Sequence, residues 1–399
     1  MDSHLIDMNG RLGFKKRFPY IYRGYWHIGS NIDDLKGIEH IVPLRKSRSY
    51  DLPLHPQQTV VQLNSTYLET IGRNDRRRGD AVVVSGALAG LGIYMLSGSI
   101  YFISASLVKG VYWFSLFITL MAVLIGIVTF LMLFAVSTEV FTSRHYPVRF
   151  NRKTRKVYVR QYNKKVEVFD WSDIHFYIFY MKEDADIRGV KFAADGKTIE
   201  AMFALPFHIK NSEEELIQHF AFFTSYMSKN EKRFLQAKDA VRYVYPIHKY
   251  RETPVQSLER IKLEFHFDHM NMEYPKETVM PKYIFAIFTP MIAIRYVGRL
   301  ISMLTCYRHR FAEAIEAECE IDTNDPYDLN KNLPEGNLEQ NNQPLWKTVI
   351  NIVMFIGALI LLLFVGAFMI DMVGVMRPHG DYPSMVDKLW YVVSLGWLP

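Results

Sequence analysis

Two uncharged stretches constrain this chain more than any other feature. Ala81–Val108 and Val111–Thr138 contain no Asp, Glu, Lys or Arg, and only Lys109-Gly110 separates them. A helix rises about 1.5 Å per residue, so about 20 apolar residues cross a hydrocarbon core. Each stretch exceeds that length. So short a link forces the helices antiparallel, which predicts a transmembrane helical hairpin over 81–138 with its turn at one membrane face. A third uncharged run, Thr348–Ile370, follows Trp346-Lys347 and stops at Asp371, which predicts a C-terminal transmembrane helix over 346–371. Transport and proton-relay sites need ionisable groups inside the spans, and these three spans carry none. Gly86 and Gly90 form a GxxxG step that lets helix backbones approach closely, and they are expected to pack the hairpin.

Orientation follows from the cations. Arg73, Arg76, Arg77 and Arg78 precede the hairpin; Arg144, Arg149, Arg152, Lys153, Arg155 and Lys156 follow it; the turn holds Lys109 alone. The positive-inside rule puts both outer ends in the cytoplasm. Residues 1–80 are then a cytoplasmic N-terminal segment, with weak strand and turn signals, and 372–399 a short tail on the far side. Met1-Asp2-Ser3-His4 opens no basic-then-apolar leader, so the first span is expected to serve as an internal anchor.

After the hairpin the pattern changes to period two. Val148 and Phe150 alternate with Arg149; Val157 and Val159 follow a polar turn; Val166–Phe169 and Ile174–Met181 are rich in strand formers. Asp195-Gly196 signals a hairpin turn between Val190–Phe192 and Ile199–Leu205. Ser212 and Glu215 have capping-box spacing, and Leu216, Phe220, Phe223 and Met227 form one helical stripe. The pattern predicts a cytoplasmic domain over 139–282, a small barrel or curved sheet with a closing helix, which resembles the pleckstrin-homology-like architecture of bacterial membrane proteins. The apolar run Tyr283–Ile294 is about half a span. It is interrupted at Pro290 and followed by Arg295 and Arg299, so 283–310 reads as an interfacial or re-entrant helix, with a fourth span or a soluble core helix as alternatives. Residues 311–345 are acidic, Asn-rich and poor in apolar residues, and read as a flexible linker.

Little points to chemistry. Two cysteines, Cys306 and Cys319, make neither a disulfide framework nor a thiolate metal site. Gly196-Lys197-Thr198 resembles the end of a phosphate loop, but no helix follows it and Gly189 is misplaced for the motif. His266, Asp268 and His269 fall short of three well-placed ligands. No catalytic residue, metal or cofactor is therefore expected. The net charge of +6 suits an anionic membrane surface. Arg149, Arg152, Lys153, Arg155 and Lys156 mark the cytoplasmic side and are candidates for anionic phospholipid headgroups. No base-stacking platform accompanies them, so nucleic acid is not expected.

The hairpin, the motifs Pro147-Val148-Arg149-Phe150-Asn151-Arg152 and Lys156-Val157-Tyr158, and Asp170-Trp171 before a strand resemble an uncharacterised bacterial inner-membrane family over roughly residues 20–305. Its members are often encoded beside type VI secretion and Rhs toxin genes, and it carries no catalytic residues to transfer. The resemblance implies a location in the bacterial inner membrane, where the cation asymmetry puts the domain in the cytoplasm and connectivity puts the C-terminal tail in the periplasm. It implies an immunity or accessory role that engages a toxin or secretion-system protein. The alternative is a lipid-sensing or envelope-homeostasis module.

Overall fold

The computed structural model describes residues 27–332 except 36, 49, 51, 162–164, 183, 210–211, 242–243, 246, 248–250 and 265–281, with scattered positions between 349 and 390. The chain divides into two units: 1–78, 137–252 and 303–338 form one, and 79–136, 253–302 and 339–399 the other. The expected span over 346–371 lies largely outside the described residues, as do His266, Asp268 and His269.

The first unit is built on two antiparallel sheets. Its strands are β1 (His40–Leu44), β2 (Val60–Leu63), β3 (Tyr67–Thr70), β4 (Val148–Asn151), β5 (Lys156–Arg160), β6 (Val166–Asp170), β7 (His175–Met181), β8 (Asp184–Phe192) and β9 (Ile199–His208). One sheet runs β2-β3-β4-β5-β6 and the other β1-β7-β8-β9. Strands β4 to β7 and β9 fall where the sequence puts them, and β8 starts at Asp184, six residues ahead of the expected Val190–Phe192 stretch. Gly196 takes φ +70 in the β8–β9 turn, and Asp195 Oδ1 accepts from the amides of Lys197 and Thr198 at 2.9 and 2.8 Å. The segment is thus a hairpin turn and not a phosphate loop.

The domain does not begin at residue 139. Strands β1–β3 come from the N-terminal segment, and both sheets depend on them. These strands are only four or five residues long. Pro43 interrupts β1, and every residue of β3 is buried, Glu69 and Thr70 included, so no polar-out alternation marks it.

Both sheets bury side chains in one core that also takes the apolar stripe of a helix, Glu213–Tyr226. Ser212 Oγ accepts from the Glu215 amide at 3.3 Å and caps it, as the spacing predicts. Phe150 sits among Phe223, Trp171 and Phe203, with centroid separations of 4.7, 6.3 and 6.4 Å. Burial of one such ring is worth about 1.5–3 kcal/mol, and its aromatic neighbours add to that.

Among the described residues the helices are, in chain order, α1 (Asp80–Val108), α2 (Tyr112–Ser137), α3 (Glu213–Tyr226), α4 (Glu231–Ala240), α5 (Pro254–Glu264), α6 (Lys282–Thr305), α7 (Glu313–Glu318) and α8 (Leu329–Asn332), with scattered helical positions beyond 348. Among the described residues α1 and α2 are long and apolar enough to cross a membrane. Their apolar side chains are largely exposed, Trp113 by 85% and Leu120 by 62%, as a lipid-facing surface requires.

Of the GxxxG step only Gly86 faces α2. Gly90 has open space where a Cβ would stand, and Gly86 comes only within 3.9 Å of Val136. The close approach is at Gly92, where a Cβ would collide with Thr129 Oγ1. Ala89, Gly92 and Ser106 are buried on α1, and Ser115 and Thr129 on α2, so the facing stripe is rotated away from Gly90.

In the same unit α6 is one continuous helix of 24 residues despite Pro290. A Cβ at Gly298 would collide with the Gly79 carbonyl, so the start of α1 and the second half of α6 touch backbone to backbone. Beside that crossing Arg295 Nε lies 2.8 Å from Asp80 Oδ1. Arg299 is fully buried.

Candidate functional site

Period-two alternation sets the site. On β3, β4 and β5 the side chains of Leu68, Val148, Phe150, Val157 and Val159 enter the core. Tyr67, Glu69, Arg149, Asn151, Lys156, Tyr158 and Arg160 are thereby left on the other face. Register puts Glu69 opposite Arg149, and Arg149 opposite Tyr158.

Arg149 donates from Nε and Nη2 to Glu69 Oε2 at 2.9 and 2.7 Å. His145 Nε2 lies 2.9 Å from Glu69 Oε1 and donates its proton there. Burial pushes the Glu69 carboxyl up, but the Arg149 charge and the bonds from His145 and Arg149 outweigh it and hold it well below the usual carboxylate range. Burial likewise works against the Arg149 charge, and Glu69 more than restores it. The guanidinium is sandwiched between two rings, 4.4 Å from the Tyr67 centroid and 4.3 Å from that of Phe311.

Phe311 belongs to a strap that crosses this face. The strap starts where Tyr307 pairs in parallel with Ser143. Arg160 Nη1 then donates to His309 Nε2 at 2.9 Å. Burial and the neighbouring Arg160 charge lower the His309 pKa from its usual 6.5 to about 4. On α7 and just beyond it, three acidic side chains meet donors from the sheet. Arg149 Nη1 reaches Glu316 Oε2 at 3.0 Å, Lys156 Nζ reaches Glu318 Oε2 at 2.9 Å, and Lys153 Nζ reaches Asp322 Oδ2 at 3.1 Å. Tyr158 donates its hydroxyl to Glu318 as well. Backbone carbonyls take part: Asn151 Nδ2 donates to the Glu318 carbonyl at 2.7 Å and Thr66 Oγ1 to the Glu320 carbonyl at 3.2 Å. The Ser65 amide donates to Asp325 Oδ2 at 2.7 Å, and Leu329 enters the main core.

The described part of the expected linker, 311–332, is therefore folded onto the sheet. Its composition is that of a solvated segment, but its charges complement the face beneath and Phe311, Cys319 and Leu329 anchor it.

The five cations assigned to headgroups have protein partners. Arg149 is buried, and Lys153 and Lys156 face the strap. Arg152 pairs with Glu231 at 3.4 Å and lies over the Phe234 ring. Arg155, at φ 60 in the β4–β5 turn, donates to the Met227 carbonyl and lies near the Trp171 ring. Two cations counted for orientation are also engaged within the first unit. Arg73 bridges Asp184 and Asp186 at 3.0 and 2.8 Å, and Arg78 donates to the Ser143 carbonyl at 2.9 Å. Asp186 and Arg188 on β8 form a fully buried pair at 2.8 Å.

Sequence reasoning missed Glu69, His145, Phe311, Glu316 and Glu318. The signal available was paired: a strand with Arg149, Asn151, Tyr158 and Arg160 on one face, and a later segment rich in acids.

The fold and site define a mixed α+β protein with two helices able to cross a membrane and a β domain that binds its own acidic segment. A family model described as "Family of unknown function (DUF6708)" matches residues 125–323. The matched stretch reaches from within α2 through β4–β9 to the acidic strap. No curated protein and no solved structure matches the chain.

Proposed function

We propose that this chain is a membrane-anchored binding protein whose water-facing domain recognises a protein partner. The observation that carries the reading is the seating of residues 311–322 on the outer face of β3–β5, which supports reading that face as a peptide-binding surface. Two apolar helices supply the anchor. A bacterial inner-membrane location with a cytoplasmic domain is supported by the Lys and Arg flanking the hairpin and by the resemblance of the motifs around Arg149. The paired sheets closed by α3 support a pleckstrin-homology-like architecture, and the uncharged run 348–370 supports a third span. An immunity or accessory role beside a type VI secretion toxin is supported by that resemblance alone.

The test is deletion of the gene in a strain with an active secretion system, followed by competition against its parent. The deletion strain is expected to be killed, and complementation to rescue it. Equal competition, with the neighbouring toxin shown to be delivered, excludes immunity. A fusion reporter at Lys109-Gly110 that reads cytoplasmic overturns the orientation.

A further inference from the structure

We infer that the outer face of β3–β4–β5 recognises acidic peptide segments carrying an aromatic anchor, and that residues 311–322 occupy it as a displaceable ligand in cis. This deepens the binding reading above and rests on it by naming the partner's chemistry.

Three features of the face point this way. Its contribution to the strap is all donors: Arg149 Nη1, Asn151 Nδ2, Lys153 Nζ, Lys156 Nζ and the Tyr158 hydroxyl, each met by a strap carboxylate or carbonyl. Secondly, the buried charge under the strap is balanced without it. Glu69 already takes Nε and Nη2 of Arg149 and the His145 proton, so lifting the strap strands no buried ion. Thirdly, the strap's polar hold is weak, and its buried anchors over this face are Phe311 and Cys319. Its helix α7 has six residues and no side-chain cap, and isolated helices this short do not persist. Glu316, Glu318 and Asp322 are 46%, 37% and 69% exposed, and ion pairs so exposed hold weakly.

The aromatic requirement comes from Arg149. The sheet supplies one ring, Tyr67, and the strap supplies the other, Phe311. A phospholipid headgroup offers anionic oxygens but no ring, so an acidic peptide fits this face better than a membrane surface. The pattern to be recognised is an aromatic residue followed after five positions by a carboxylate and after seven by another, as in Phe311, Glu316 and Glu318.

The chain's cysteines provide the measurement. Cys319 lies on the strap, and Cys306 lies in a separate small cluster with Val61, Ile71 and Tyr245. Full-length protein in zwitterionic nanodiscs is made as Cys306→Ala and as Cys319→Ala, and each remaining thiol is alkylated. Cys319 is expected to react roughly tenfold faster than Cys306, because the strap opens without unfolding of the domain. The probe is a labelled synthetic peptide of residues 309–323 with Ser at the Cys319 position. It is expected to bind Glu316→Gln/Glu318→Gln/Asp322→Asn protein saturably and roughly tenfold tighter than wild type, whose own strap competes at high local concentration. A peptide with Phe311→Ala is expected to lose roughly tenfold in affinity. Equal alkylation of the two thiols overturns the proposal, because the strap is then a permanent layer of the fold. Binding of phosphatidylglycerol vesicles but not peptide to the triple variant also overturns it, in favour of a lipid surface. If the triple variant unfolds, shown by fast alkylation of Cys306, the wild-type ratio of the two thiols decides. The competition assay above reads cell survival, so its failure is distinct from failure here.

Discussion

Replacing Glu69 with Gln tests the centre of the site. The substitution keeps the shape but removes the charge that balances a buried guanidinium. Glu69 is 3% exposed and Arg149 is 6% exposed. Breaking such a pair from one side costs about 3–5 kcal/mol. Two effects reduce this. The Gln carbonyl still accepts one bond from Arg149, worth about 1 kcal/mol. Glu316 remains 3.0 Å from Nη1, but at 46% exposure it contributes less than about 1 kcal/mol. The net expectation is a loss of about 2–3 kcal/mol. For a domain of this size class each kcal/mol moves the melting temperature by about 2–4 °C, so Tm falls by roughly 4–12 °C. The assay is thermal unfolding in detergent with a thiol-reactive fluorogenic dye. The background is Cys319→Ala, whose remaining cysteine, Cys306, is buried in the β unit away from the strap, so the dye reports unfolding of that unit and not opening of the strap. Glu318→Gln is the control; it removes an exposed pair and is expected to shift Tm by less than about 3 °C. A Glu69→Gln shift as small as the control's refutes the claim that Arg149 is a buried ion balanced by Glu69.

Three further outcomes follow from the same contacts. The folded state depresses the His309 pKa from 6.5 to about 4, so the unfolded chain binds more protons between those values. The stability this contributes is present above pH 6.5 and is lost as the pH falls toward 4. His309 is only half-buried, which reduces the effect to about 1 kcal/mol, read as a Tm that falls on acidification in wild type and less in His309→Gln. Phe311→Ala leaves Arg149 with one ring and is expected to weaken seating of the strap by about 1.4 kcal/mol, the tenfold expected of the peptide, and to speed alkylation of Cys319 more than of Cys306. Gly92→Leu drives a side chain into Thr129 and is expected to cost about 1–3 kcal/mol, seen as faster amide hydrogen exchange in α1 and α2, whereas Gly90→Leu leaves exchange unchanged.

What the sequence determined by itself is local. An uncharged run of 28 residues is a span candidate whatever surrounds it, because length and apolarity are properties of the run. The same holds for α3, whose cap and stripe lie within sixteen residues, and for β4–β6, whose alternation shows on each strand separately. The tertiary structure decided which of these pieces meet. Strands β1–β3 join their sheets from across the hairpin, and their own residues carry no strong periodicity to announce it. Arg149 and Glu316 stand 167 positions apart, and a basic run and an acidic run read alone each look solvated. Small-residue spacing marked Gly86 and Gly90 as able to pack closely, but the rotation of α1 against α2 chose Gly92. Local patterns state what a segment is able to bury; only the packed chain states against what, because the partner's position is a property of the whole fold.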